Sequence, residues 1–245
     1  MRAVRGRRMN RLLMWVVYAL CFAGLPALAQ SRDILADAAR AFDESALRSN
    51  DDSAKPMPVR KWMAPIKLAF ANPSASPGLV ELSRQGVKTL AVEAGIEVID
   101  LTDADAANYV IYFDENGLRG RAGDCSANGW WNKNRVMYKG ELRINPTRNR
   151  DVDRCTIHEP MHTLGFFSHP HGAQSVLSYV YKAQRSLTPL DKHLIRTLYD
   201  RRMTPGLAAA PASQLACRIL GERLGSTAAD IEAVCRERKG PVAGL

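Results

Sequence analysis

The stretch CTIHEPMHTLGFFSHPHG, Cys155 to Gly172, holds four of the chain's five histidines within fourteen positions. For these side chains to act together, the backbone must do two things in succession. Residues four apart share one face of an α-helix, so a helix through His158 and His162 brings both imidazoles to one point, with Glu159 beside that face. Gly165 lies three residues past His162 and suits a left-handed helix exit, after which the chain can turn back and return a third imidazole, from His169 or His171. Three imidazoles around one point form a ligand set for Zn²⁺ that leaves a fourth position open for water. A neighbouring carboxylate can take that water's proton as it attacks a carbonyl. Pro160 is the awkward residue: inside a helix it removes a hydrogen bond and costs about 3 kcal/mol unless it lies in the first turn. The helix is therefore expected to start close to Cys155 or to kink at the site.

The first thirty of 245 residues read as arginines, an apolar run from Leu12 to Leu25, and Ala27-Leu28-Ala29. This is the pattern of a secretory signal peptide, with cleavage expected after Ala29. The apolar run is shorter than the roughly 20 residues of a membrane span, and the residues before Cys21 do not suit a lipoprotein site. Five arginines leave with the leader, so the net charge falls from +9 to +4. The basic character then gives no argument for nucleic acid, and no stable membrane insertion is expected after cleavage. Cys125, Cys155, Cys217 and Cys235 remain, an even number in an exported chain, and two disulfides are expected. Three connectivities are possible; Cys125–Cys155 and Cys217–Cys235 are the more local pairs. Localisation is read as periplasmic or secreted.

Residues 30–58 read as an N-terminal helix without a strong core face, loosely attached, followed by a polar, Pro-punctuated linker. From Val59 the pattern is that of an α/β unit. KWMAPIKLAFA reads as a strand, Ser76-Pro77 opens a helix that Gly95 stops, and IEVIDL, NYVIYF and GELRIN read as further strands. Asp114 to Lys139 reads mostly as loop. Thr188, Pro189 and Asp191 take N-cap, N1 and N3 positions of a helix through Leu194, Ile195 and Leu198, a capping-box arrangement. The tail from 207 to 245 reads as two helices broken at Gly225-Ser226, which Cys217 and Cys235 would staple into a hairpin.

HEPMHTLGFFSH resembles the H-E-x-x-H-x-x-G-x-x-H signature of the metzincin zinc peptidases. SVLSY, Ser175 to Tyr179, resembles the Met-turn segment of that clan, and LTPLDKHLIRTLY resembles its closing helix. The resemblance covers residues 155–200 in the correct order. It implies a metzincin-like α+β fold over 59–206: a twisted mixed sheet with two main helices above a mostly irregular or helical C-terminal subdomain, the metal in the cleft between. His158, His162 and His169 are then the expected Zn²⁺ ligands and Glu159 the general base. The family's third histidine would fall at Ser168, so a one-residue longer turn is needed for His169, or His171 serves. Leu177 stands where the family has methionine, and an apolar residue of similar volume is compatible with packing there. VRKWMAPIKLAF and the Thr188 segment are also similar to a bacterial family of exported proteins of unassigned function, some of which lack the full histidine set.

The expected activity is that of an exported zinc-dependent metallopeptidase acting on a peptide or protein substrate laid along an edge strand. The alternatives are a non-catalytic exported binding protein on the same scaffold, and a metal-dependent amidase or hydrolase of cell-wall material. His193 reads as a surface or packing residue, Trp130-Trp131 as packing in preference to a cleft lining, and Cys155 as an anchor for the active helix. Tyr179 reads equally as a packed tyrosine or as a group that caps the metal. The sequence does not speak to the state of assembly.

Overall fold

The computed structural model describes residues 31–49, 55–71, 75–114, 125–147, 152–236 and 238. The leader and its cleavage site lie outside them. A first helix, α1, spans 31–46. Strands β1 (Lys61–Trp62) and β2 (Ile66–Ala71) are followed by helix α2 (Pro77–Ala94), then β3 (Val98–Asp100), β4 (Tyr109–Phe113), β5 (Cys125–Trp131) and β6 (Val136–Ile144). Four more helices complete the order: α3 (Val152–Thr163), α4 (Pro189–Leu198), α5 (Ala209–Leu224) and α6 (Ala228–Arg236). The result is an α+β fold with a mixed sheet and a helical C-terminal part.

Parallel pairing joins β6 to β4, β4 to β2 and β2 to β3, while β1 pairs in parallel with the first residues of β6. β5 runs antiparallel to β6, from Cys125 opposite Ile144 to Trp131 opposite Met137. The predicted strand through KWMAPIKLAFA is thus two strands, interrupted at residues 63–65, where Pro65 cannot donate to a ladder. The expected loop from Asp114 to Lys139 is corrected by β5 and the first residues of β6; residues 115–124 lie outside the described set. CSANGWW carries no period-two signal, because most of its residues are half-buried on either face. Its strand character comes from the partner strand and not from its own composition.

Local punctuation sets the helices. Ser76 caps α2 through its hydroxyl to the Leu79 amide, Pro77 follows at N1, and Gly95 ends the helix at φ 67°. Thr188 and Asp191 form a reciprocal capping box on α4. Gly225, at φ 71°, ends α5 and lets α6 fold back, and Cys217–Cys235 closes that hairpin with a Cα–Cα distance of 5.6 Å. Both local cysteine pairs form, which fits an oxidising, non-cytoplasmic compartment. Among the described residues no helix is long and apolar enough to cross a membrane.

α1 is not loosely attached. Leu35, Ala38, Ala39, Phe42, Ala46 and Leu47 are buried in the same core cluster as the sheet. Five of these six are Ala or Leu, a pattern of weak contrast; the small alanines allow close approach where larger side chains would have advertised a face. Asp43 is buried too, accepting from Ser213 Oγ at 2.8 Å and paired with Arg238. α1 thereby joins the C-terminal hairpin to the body of the fold.

Candidate metal centre

α3 carries His158, Glu159 and His162, and Pro160 lies in its third turn, neither near its start nor at its end. Proline lacks the N–H that would bond the carbonyl four residues earlier, that of Thr156. α2 comes down on that carbonyl: a Cβ added to Gly86 would sit 1.8 Å from Thr156 O. The side chain that glycine lacks is what lets the two helices meet where the ladder is broken. The end of α3 is then pinned from three sides. Trp62 Nε1 donates to Thr163 O at 2.8 Å, Tyr199 OH donates to Leu164 O at 2.8 Å, and Thr163 Oγ1 hydrogen-bonds Tyr109 OH at 3.0 Å.

Gly165 makes the exit. Its φ is 118°, and a Cβ there would lie 2.1 Å from Arg60 O, so both backbone conformation and space require glycine. The chain then passes Phe166 and Phe167 and returns His169 to α3. His158, His162 and His169 place one nitrogen each within 4.8 Å of one another. His158 Nε2 stands 3.2 Å from His162 Nε2 and 3.3 Å from His169 Nε2. Tetrahedral ligands at the usual Zn–N distance of 2.0–2.1 Å are about 3.3 Å apart. The extra residue in the turn is absorbed, and His169, not His171, completes the set. His171 instead offers its backbone N–H to Glu44, and His193 stands on α4 outside the cluster.

The tautomers are fixed from behind. His158 Nδ1 faces Val176 O at 2.7 Å and His162 Nδ1 faces Phe166 O at 2.5 Å. Carbonyls only accept, so each Nδ1 carries the proton and each Nε2 turns a lone pair to the common point. Burial drives the protonated forms out: the His158 pKa lies well below its ordinary value, His162 is lowered to about 4 and His169 to about 3. Neutral imidazoles with converging lone pairs repel one another unless a cation lies between them. The donor set therefore fits Zn²⁺.

Glu159 lies beside the three nitrogens, its Oε1 4.0 Å from His158 Nε2 and outside the ligand cluster. Burial raises its pKa to about 7, against the pull of Arg154 and of a hydrogen bond from the Ala127 amide. That amide belongs to β5, and the disulfide Cys125–Cys155 ties the same strand to α3. The Cys125 sulfur touches Glu159 Oε1 at 3.4 Å.

The segment read as a Met-turn underlies the site through backbone. Asp191 accepts from Ser175 Oγ at 2.5 Å and from the Val176 amide at 3.1 Å, while Ser175 Oγ holds the Leu177 amide. Leu177 is fully buried, as an apolar substitute for methionine requires. The Val176 carbonyl so placed receives His158 Nδ1 and Arg154, and Arg154 also donates to Ser178 O. Tyr179 stacks on His169 with ring centroids 3.9 Å apart. Trp131 packs between Phe167 and the Arg60 guanidinium, whereas Trp130 is partly exposed under Lys139.

Sequence reasoning missed Arg154, the Ala127 amide and the second role of Asp191. Asp191 already had a complete local explanation as a cap, and neither of the others carries a motif. No family model matches the chain, and no curated protein matches it in sequence. The geometry of this histidine and glutamate cluster is nonetheless that of a catalytic zinc-metallopeptidase site, with the spacing of the metzincin motif extended by one residue before the third histidine.

Proposed function

We propose that this protein is an exported zinc-dependent metallopeptidase, with Zn²⁺ held by His158, His162 and His169. The observation that carries the reading is the convergence of three Nε2 lone pairs beside a partly buried carboxylate that is not in the cluster. Zinc in such a site polarises a carbonyl and acidifies water. Glu159 accepts the proton of the attacking water and delivers it to the leaving amine, and a pKa raised toward neutrality by burial suits both halves of that task.

β5 supports a peptide in preference to a compact substrate. It pairs with β6 only, among the described strands, and its Ala127 amide already reaches Glu159. An extended chain adding to that edge would be bound through its backbone and pass the carboxylate. The disulfides favour export, and the reading covers a catalytic unit over residues 59–206.

Glu159→Gln tests the enzyme. Turnover of an unfolded protein substrate should fall by about 10²–10⁴ with zinc content unchanged. Unchanged activity in that variant would move the protein to the class of non-catalytic binding scaffolds. Cleavage of peptidoglycan in place of protein would make it a cell-wall hydrolase.

A further inference from the structure

The three imidazoles are not supported alike. His158 and His162 are each locked at Nδ1 by a carbonyl, but His169 Nδ1 is buried and meets no hydrogen-bond partner among the described residues. Stacking on Tyr179 limits the tilt of the ring but supplies no directional contact at Nδ1. Tyr179 is itself 55% exposed. The position of His169 Nε2 must therefore come from the backbone on either side.

That backbone is held by α1. The Ser168 amide donates to Ser45 O at 3.1 Å, using one of the carbonyls that a helix C-terminus leaves without a partner. The His171 amide donates to the Glu44 carboxylate at 2.7 Å. Phe42 meets Phe166 edge-on, with centroids 6.4 Å apart at 85°. A carboxylate in the last turn of a helix opposes the helix dipole, so helix stability alone does not favour glutamate at position 44. Its contact with the ligand loop offsets that cost. α1 is in turn fixed by the C-terminal hairpin through Asp43 with Ser213 and Arg238, and through Arg32 with Asp230.

We propose that α1 is a positioning element of the metal centre, with Glu44 and Ser45 holding residues 168–171 so that His169 completes the three-imidazole set. The inference rests on the zinc reading. It gives the N-terminal segment a constructive part: α1 grips the ligand loop by its backbone.

The test uses the full mature chain from residue 30, with wild type, Glu44→Ala, Glu44→Gln and His169→Ala compared. Zinc affinity is read by competition with a chelator, and coordination by the visible bands of the Co²⁺-substituted protein. Glu44→Ala should weaken zinc by about tenfold, the lower end of what outer-shell partners contribute, and shift the Co²⁺ bands toward those of His169→Ala. Glu44→Gln keeps an acceptor oxygen and should recover most of the affinity. In the metal-free protein, amide exchange at His171 should be slow in wild type and faster in Glu44→Ala. Equal zinc affinity and equal Co²⁺ spectra in wild type and Glu44→Ala would overturn this inference alone. A wild-type chain that binds no zinc would overturn the metal reading and this inference with it.

Discussion

At the scale of single residues, the site is a set of choices about where protons sit. The Val176 and Phe166 carbonyls put protons on Nδ1 of His158 and His162, and burial keeps all three rings neutral. A proton competes with zinc for the same lone pair, so a lowered pKa weakens the competitor. With ordinary imidazoles of pKa near 6.5, acidification to pH 5 would handicap each ligand by about thirtyfold. Here His162 takes its proton near pH 4 and His169 near pH 3. The apparent zinc affinity is therefore expected to change little between pH 7.5 and 5 and to fall steeply only below pH 4. Chelator competition across that range checks it, and a steady decline starting at pH 7 would refute the account. His169→Ala should bind the metal far more weakly in the same assay, while His171→Ala should bind it as the wild type does. Much of this scale was legible in sequence, because four-residue spacing on a helix is a local property. The choice of His169 over His171 was not, since it depends on the path of a turn set by Arg60 and α1.

Between elements, the decisive contact is the one between β5 and α3. The disulfide Cys125–Cys155 joins them next to Glu159, and the Ala127 amide of the same strand hydrogen-bonds that carboxylate. Replacing both cysteines by serine should cost about 2–4 kcal/mol of stability, measured by denaturant unfolding. It should also lower turnover while zinc stays bound, because the proposed ligands hang from α3 and its own turn, whereas the Glu159 carboxylate, the proposed general base, is held from β5 as well. Equal loss of zinc and activity would mean that the disulfide serves the metal and not the base. α4 and α2 were readable from their caps, which are chemistry within four residues. β5 was not, because a strand of half-buried small and polar residues is defined by its neighbour. The α2–α3 contact was equally hidden: nothing in the sequence links Gly86 to the carbonyl that Pro160 leaves without its helical partner.

Over the whole molecule, the three ligands lie within twelve positions of one another, but the groups that aim them do not. Val176 is placed by Asp191 of α4, the end of α3 by Trp62, Tyr109 and Tyr199, and the His169 loop by α1. These supports span residues 44 to 199, so only the folded chain presents three converging nitrogens. Zinc must then bind the native state in strong preference to the unfolded one and stabilise it by mass action. Free zinc at a hundredfold its dissociation constant contributes about 2.7 kcal/mol, which for a chain of this size raises Tm by roughly 5–10 °C. His158 and His162 can meet a metal weakly even in an unfolded chain, through a transient helical turn, which places the expected shift toward the lower end of that range. Scanning calorimetry with and without zinc measures it. Glu159→Gln should retain the whole shift, since that carboxylate is no ligand, and His162→Ala should abolish it. A wild-type Tm indifferent to zinc would mean that the converging imidazoles are held together by packing alone.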